Sequence, residues 1–280
     1  MSVGETLAGR LGHAPDSRYL IVNCDDLGSS HSANAASLKA MEAGVATSAT
    51  LMVPCPWARE AVRMFQGRDL GVHLTLTCEY PDYRWRSLIG ASSLHDHDGF
   101  LPAAVKDVFA NAKPEDVRTE LRAQIEQAMA WGVDITHLDS HMGTAHLHKP
   151  FFLIYVDLAA EYRLPLRFLG MENSLLNFDA QKHAAERGVL VSDHFIDCWA
   201  KDTRTFLRER VSALPSGVSD ACTHPVVDGD ELRSYDPDAP DQRANDAICL
   251  SDPALAQFIR SSRAIPISYR PIRELQRSLG

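Results

Sequence analysis

Apolar runs alternate with amphipathic stretches along most of the chain. The runs at 19–24, 46–53, 69–77, 133–141, 167–171, 188–195, 219–226 and 264–270 are predicted to be strands. Helices are predicted between them at 33–44, 56–65, 114–132 and 149–162. Strands that alternate with helices in this way are typical of parallel sheets with helical crossovers. The pattern therefore predicts an α/β fold.

The clearest helix is the segment 114–132. Pro114 stands at its front and Gly132 follows it, which are the preferred residues at those two places. Its predicted apolar stripe, at helical spacing, is Val117, Leu121, Ile125, Ala128 and Met129. We expect this stripe to face the core.

The chain shows no repeat, low-complexity tract or clean linker. Residues 1–17 are predicted to be a loose N-terminal leader, and 18–280 a single domain. The segment 227–246 is rich in Asp, Pro and Arg and is predicted to be a long loop. A length of 280 residues suits one (β/α) barrel.

Composition limits the classes of partner. Hydrophobic residues make up 45% of the chain, and the formal charge is 28 − 37 = −9. This balance does not favour nucleic acid or an anionic membrane, and it suits a small neutral or cationic substrate. No apolar run approaches the ~18 residues of a membrane span. The N-terminus lacks the pattern of a signal peptide, and the six cysteines form no CxxC, so we expect a cytoplasmic protein with reduced thiols.

Ionisable side chains follow several predicted strands. Asp25 and Asp26 end the first strand, and His73 lies on the third. Alternation along 133–141 places His137, Asp139 and His141 on one face. A late histidine, His224, lies in the segment CTHP. Because the carboxyl ends of barrel strands meet at one mouth, we expect these groups to converge there.

Each signal has a plainer structural interpretation when taken alone. An Asp-Asp pair is typical of a turn or a helix cap, and a histidine in a strand is typical of a hydrogen-bonded core. Three ionisable groups on one strand face are costly to bury unless something pairs them, and a metal ion would do so. The conjunction of all three signals favours a metal site.

Four motifs carry a family resemblance: NCDDLG (23–28), GVATSATLMVPCP (44–56), GVHLTLT (71–77) and THLDSHMGTAH (136–146). Together they resemble the YdjC/ChbG family of carbohydrate deacetylases (ChbG/HpnK type), with weaker likeness at 223–225 and 267–275. The resemblance implies a distorted (β/α) barrel related to polysaccharide deacetylases. It also implies hydrolysis of an acetamido group on a sugar, one divalent metal ion, and compatibility with a homo-oligomer.

Site roles follow from the resemblance by position. Asp26, His73 and His141 match the metal ligands, and Asp25 matches the proposed base. His224 is similar to a late histidine that closes the site, and we take it as the candidate acid for the leaving amine. After His141 the chain has Met142, Gly143, Thr144 and Ala145 where the family usually has further histidines. The sugar pocket is therefore expected to differ, in favour of another acetylated sugar or a lipid-linked one.

The residues themselves add expectations about the site. The chain must bend for both Asp25 and Asp26 to face it, with Gly28 as the residue that permits the bend. Asp139 is predicted either to orient a ligand imidazole or to bond locally. Two imidazoles and one carboxylate suit Zn²⁺, Fe²⁺, Co²⁺ or Mn²⁺. The family is often described with Mg²⁺, so Mg²⁺ and Zn²⁺ are the first expectations.

Other residues have two open interpretations. Arg243 and Asp246 either contact sugar hydroxyls or form surface ion pairs. Tyr80, Tyr83 and Trp85 form either a sugar-stacking wall or loop packing. His95 and His97 are expected in a solvated loop.

Two other functions compete with deacetylation. A barrel phosphoesterase should show basic or Gly-rich phosphate contacts near the strand ends, and none stands out. A non-catalytic sugar-binding relative would be expected to lose ligands, whereas all the matched residues are present.

Overall fold

The computed structural model describes residues 6–279. Across these residues seven parallel strands form one sheet. The strands are β1 (Arg18–Leu27), β2 (Ser48–Leu51), β3 (Leu70–Leu74), β4 (Ile135–Ser140), β5 (His194–Asp197), β6 (Gly217–Thr223) and β7 (Ile265–Pro266). The helices are α1 (Leu7–Arg10), α2 (His31–Glu42), α3 (Ala58–Met64), α4 (Val105–Asn111), α5 (Pro114–Ala130), α6 (Lys149–Tyr162), α7 (Glu172–Leu176), α8 (Ala180–Glu186), α9 (Thr203–Ser212), α10 (Asp230–Tyr235), α11 (Pro240–Leu250), α12 (Pro253–Ser261) and α13 (Arg270–Ser278). Short 3₁₀ turns lie at Ser92–Leu94 and His141–Gly143.

The sheet curls into a distorted barrel. Its strand order is β4-β3-β2-β1-β6-β5, and β7 pairs with the start of β1. The two outer strands are connected through Leu166, which bridges to Leu138 on β4 and to Val191 just before β5. This closure confirms the predicted (β/α) barrel in a single domain. Because all the strands are parallel, their carboxyl ends share one mouth.

The structure corrects the predicted apolar stripe of α5. Met129 is 52% exposed, whereas the other four stripe residues are buried. The buried face also includes Glu120 and Gln124, which bond the backbone of Leu88, Ile89 and Thr75. At 3.6 residues per turn these two side chains shift the centre of the buried face away from position 129.

Several late elements differ from their predictions. The segment 167–171 is not a strand; only Leu166, just before it, forms an isolated bridge. The predicted strands at 188–195 and 264–270 are reduced to β5, which begins at His194, and to the two residues of β7. The predicted loop 227–246 contains α10 and most of α11. Pro240 stands in the first turn of α11, where proline starts a helix rather than breaking one.

The N-terminal segment packs against the barrel where the structure describes it. Leu7 and Ala8 of α1 are buried, and the Leu7 N–H lies 3.0 Å from Asp193 Oδ2. The first five residues of the predicted leader lie outside the described range. Within residues 6–279, no helix is both long and apolar enough to cross a bilayer.

The α5 stripe gives a stability test. Ile125→Ala should lower the free energy of unfolding by about 2–5 kcal/mol, because it removes a fully buried side chain and leaves a cavity. Met129→Ala, on the same helix, should change it by less than about 0.5 kcal/mol. Urea unfolding followed by circular dichroism measures both, and equal effects would contradict the burial pattern.

Candidate active site

A backbone bend at the end of β1 brings two consecutive carboxylates into the barrel. Asp26 has φ of +60°, in the left-handed region, and the pairing of β1 with β2 shifts register between Cys24 and Leu27. Neighbouring residues of a regular strand would face opposite ways, whereas both Asp25 and Asp26 are buried. The expected bend is therefore present, at Asp26 itself. Gly28, with φ of +90°, allows the following turn and a close approach to the backbone of Ala58.

Asp26, His73 and His141, here called the Asp26 triad, meet at the mouth. Asp26 Oδ1 lies 3.3 Å from His73 Nε2 and 3.0 Å from His141 Nδ1. One ligand atom from each of the three residues lies within 4.8 Å of the others. Nitrogen and oxygen ligands at about 2.0–2.1 Å from an ion are themselves about 3.0–3.4 Å apart. Both distances from Asp26 Oδ1 to the imidazole nitrogens therefore have the size that a shared divalent ion requires.

The surroundings of Asp26 Oδ1 support the same interpretation. This buried oxygen has His73 Nε2 and His141 Nδ1 as near neighbours, but neither makes a well-aligned hydrogen bond to it. A buried carboxylate oxygen needs positive charge beside it, which either protonated imidazoles or a bound cation would supply. The donor set of the Asp26 triad thus fits a metal ion, and ion binding itself stays a prediction.

Each imidazole of the triad has a carboxylate on its other nitrogen. His73 Nδ1 lies 2.6 Å from Asp139 Oδ1, and His141 Nε2 lies 2.9 Å from Glu79 Oε2. Such a carboxylate accepts the N–H and leaves the opposite nitrogen free for an ion. Asp139 therefore contacts the imidazole of a candidate ligand, which agrees with the first of its two predicted roles and not with purely local bonding. The sequence analysis did not identify Glu79. Its only indication in the sequence is its acidic side chain at a position shortly after β3.

Asp25 lies against a buried arginine that the sequence analysis also missed. Arg167 donates from both terminal nitrogens to Asp25, at 2.6 and 3.0 Å, and from Nε to Asp220 Oδ2 at 2.8 Å. Burial alone lowers the pKa of Arg167, but Asp220 and Asp25 raise it well above its ordinary value. Asn23 Nδ2 also donates to Asp25 Oδ1. The Asp25 carboxylate is therefore held in one orientation.

His224 lies at the open side of the same carboxylate. Its Nε2 is 3.9 Å from Asp25 Oδ2, beyond direct hydrogen bonding, and its side chain is 15% exposed. Its backbone N–H donates to Asp246 Oδ2 at 2.8 Å. The structure thus places the candidate acid beside the candidate base. Asp246 itself is buried and accepts from Thr203 as well, so it is not part of a surface ion pair.

Arg243 belongs to the site rather than to a surface loop. It is buried on α11, where its terminal nitrogen donates to Asp26 Oδ2 at 2.7 Å and its Nε donates to Asp236 Oδ2 at 2.8 Å. The surface ion pair expected as one alternative is therefore wrong. Arg243 donates to Oδ2 of Asp26, so Oδ1 is the oxygen that remains to face the two imidazoles.

Other candidate residues are not brought to the mouth. His137 shares the strand face of Asp139, but it is stacked on Tyr269 with ring centroids 3.7 Å apart and is not in the triad. Tyr80 and Trp85 are buried and pack edge to face, and Tyr83 is half-buried against Trp85, so the structure favours packing over a sugar-stacking wall there. His95 bonds to Ser87 in its loop.

In the ion-free protein, the charged groups in and around the triad stabilise one another's charged forms. Burial lowers the pKa of both imidazoles, but Asp139 raises that of His73 to about 10, and Glu79 with Asp26 raises that of His141 to about 9. Burial raises the pKa of Asp26, and the charges of His141 and Arg243 then hold it well below its usual value. Both imidazoles therefore carry protons at neutral pH when no ion is bound.

Comparison with known proteins places the chain in a family. The model of the YdjC-like protein family matches residues 19–261. The chain belongs to the YdjC-like family. It is 32% identical to a carbohydrate deacetylase of Thermus thermophilus, over 92% of this chain and 94% of that protein. It is 31% identical to a carbohydrate deacetylase of Geobacillus stearothermophilus, over 92% and 99%.

A solved structure from Enterococcus faecalis V583, described as a cellobiose-phosphate cleavage protein, shares the fold. The TM-score is 0.81 with 22% identity, over 91% of this chain and 99% of that one. Identity at this level supports the architecture alone. All three triad residues of this YdjC-like chain lie inside the segment that the family model matches.

Ion binding should release protons. His73 and His141, with pKa values of about 10 and about 9, are protonated at pH 7 and must lose those protons to bind an ion. The apparent affinity for Zn²⁺ should therefore rise as the pH rises from 7 towards 9. Calorimetry in two buffers of different ionisation enthalpy counts the protons. A heat of binding that does not depend on the buffer would contradict the protonation of the two imidazoles. His97→Ala, at an exposed histidine, is the control and should leave both the affinity and the number of released protons unchanged.

Glu79 should strengthen ion binding without touching the ion. Glu79→Ala removes the acceptor on His141 Nε2 and should weaken Zn²⁺ affinity about 10–100-fold. Competition with a chromogenic chelator measures the change. Glu42→Ala, which removes an exposed carboxylate paired with Arg68, is the matched control and should leave affinity unchanged. Equal affinity in both variants would show that Glu79 does not orient the ligand.

Proposed function

We propose that this protein is a metal-dependent carbohydrate deacetylase that hydrolyses the acetamido group of an N-acetylated sugar. The observation that carries the proposal is the convergence of Asp26 Oδ1 with two imidazole nitrogens, at 3.0 and 3.3 Å, in a buried group whose atoms could hold a metal ion. The two carbohydrate deacetylases at about a third identity over nearly the whole chain support the choice of substrate class.

The Asp26 triad would hold the ion. A divalent ion at such a site lowers the pKa of water and polarises an amide carbonyl. The mixed nitrogen and oxygen donors suit Zn²⁺, Fe²⁺, Co²⁺ or Mn²⁺, and the family resemblance adds Mg²⁺. Mg²⁺ and Zn²⁺ are the first ions to test. Asp139 and Glu79 keep the two imidazoles oriented towards it.

Two side chains would move protons. Asp25 takes a proton from the attacking water as the new C–O bond forms, and Arg167 keeps its carboxylate in place. The C–N bond then breaks, and His224 gives a proton to the amine nitrogen, which is a poor leaving group while unprotonated. The separation of 3.9 Å between His224 Nε2 and Asp25 Oδ2 supports a shared role for both groups at one reacting centre.

The competing functions have less support. A phosphoesterase needs cations that can reach phosphate, whereas the two arginines nearest the triad, Arg167 and Arg243, are buried and paired with carboxylates. A non-catalytic sugar-binding relative would not require two imidazoles that each pair with a carboxylate on the nitrogen away from Asp26. Free, buried cysteines fit a reducing compartment, which supports the cytoplasm as the location.

Acetate release from a panel of acetylated sugars tests the function. The protein is stripped of metal with a chelator and then supplied with Zn²⁺, Mg²⁺, Mn²⁺, Co²⁺ or Fe²⁺ in turn. Activity should disappear on stripping and return with at least one ion. Phosphate esters of the same sugars form the second arm, and release of phosphate without acetate would favour the phosphoesterase instead.

Two variants separate ion binding from proton transfer. Asp25→Asn should lower kcat by about 10²–10⁴-fold and keep the bound metal, because it removes a proton acceptor and no ligand. His141→Ala should lose both metal and hydrolysis. Asp98→Asn, at an exposed carboxylate, is the control and should match the wild type. Full activity in Asp25→Asn would refute its role as the base.

A further inference from the structure

Trp199 is an exposed aromatic residue at the barrel mouth. It follows the carboxyl end of β5 by two residues, and its backbone N–H donates to Asp197 Oδ1 at 2.9 Å. The next residue, Ala200, has φ of +56°, so the turn that presents the indole has a fixed and unusual backbone. The residue as a whole is 37% exposed. A single exposed aromatic ring is common on protein surfaces and does not by itself indicate a ligand, so the position of the indole is what matters.

The indole touches the candidate active site on two sides. Its ring centroid lies 4.8 Å from that of His224, at an interplanar angle of 72°. The guanidinium carbon of Arg243 lies 5.2 Å from the indole centroid. His224 is beside Asp25, and Arg243 donates to Asp26. Trp199 therefore packs against two side chains that flank the position where the acetamido group would react.

We propose that Trp199 binds the sugar ring of the substrate by stacking. The C–H groups on one face of a pyranose form an apolar surface that matches an exposed indole, while the ring hydroxyls stay in water. The aromatic residues after β3 are less suited to this role, because Tyr80 and Trp85 are buried and Tyr83 is half-buried with its hydroxyl donating to the Ser29 carbonyl. This assignment rests on the proposed deacetylase function and deepens it, since it selects cyclic acetylated sugars over open-chain acetamides.

The test compares a ring substrate with an open-chain one. N-Acetylglucosamine and its alditol, N-acetylglucosaminitol, carry the same acetamido group, but only the first has a ring. Trp199→Ala should raise KM for N-acetylglucosamine about five- to tenfold, with kcat within about twofold, and leave KM for the alditol unchanged. Trp199→Phe should restore most of the affinity, because a smaller aromatic ring still stacks. Equal shifts for the two substrates would overturn stacking.

A matched tryptophan controls for general effects of the substitution. Trp57 is also 37% exposed, but its ring packs against His31, whose partner is Glu60. Trp57→Ala should leave KM for both substrates at the wild-type value. An increase as large as that in Trp199→Ala would overturn the assignment to Trp199. Thermal unfolding of each variant verifies that the fold is intact.

A binding measurement keeps this inference separate from the catalytic one. Titration of the Asp25→Asn protein, loaded with Zn²⁺, with N-acetylglucosamine should quench tryptophan fluorescence. The same titration of the Asp25→Asn, Trp199→Phe double variant should show at least a twofold smaller change. Sugar-dependent quenching through Trp199 without acetate release by the wild type would refute the deacetylase and retain the stacking site. No binding of the sugar, or unchanged quenching in the double variant, would overturn the stacking site.

Discussion

The structure depends on one buried cation, Arg167, and on the three carboxylates that surround it. Its guanidinium pairs with Asp25, Asp139 and Asp220, at distances from 2.6 to 2.9 Å. These carboxylates lie on β1, β4 and β6, so one side chain connects three strands across the barrel interior. Buried carboxylates without a partner are strongly destabilising. Arg167 also follows Leu166, the residue that links the outer strands, so closure of the barrel and burial of the site charges occur together.

The same network restricts the motion of the Asp26 triad. Asp139 receives Arg167 and the Thr50 hydroxyl on Oδ2, which leaves Oδ1 for His73. An imidazole held by a carboxylate that is itself fixed has little freedom to rotate, and precise placement of ligands depends on such support. At the other ligand, Arg243 takes one oxygen of Asp26. The two arginines thus determine which atoms remain available to an ion.

The sequence predicted the parts of the site that have a local signal. Strand alternation and the shared mouth of a parallel barrel predicted that Asp25, Asp26, His73 and His141 converge. The family resemblance then implied which of them form the ligand set. Arg167 and Glu79 have no such signal, because their partners are tens of residues away in the chain. The apolar segment around Arg167 looks like an ordinary strand, although its arginine is drawn into the polar interior. Local sequence spacing can indicate candidate ligands, whereas the ion pairs that hold those ligands can be identified only once the fold is known.

Amino-acid composition gave a wrong structural prediction for one segment of the chain. The Asp- and Pro-rich segment 227–246 was predicted to be a long loop, yet it contains α10 and most of α11. Most of its charged side chains are exposed, but Asp236 and Arg243 are buried, pair with each other, and connect to Asp26 through Arg243. A charged segment can therefore be part of the interior when its charges pair with one another. The sequence alone cannot distinguish this case from a solvated loop.

Charge balance explains how such an interior can fold before any ion arrives. With pKa values of about 10 and about 9, His73 and His141 hold two protons at neutral pH, and these carry the same charge as one divalent ion. Exchange of two protons for the ion leaves the net charge of the Asp26 triad unchanged. The carboxylates that surround it therefore have cationic partners in both states. This differs from small zinc domains, whose folding free energy comes from the metal itself, since the barrel here has its cationic partners without an ion.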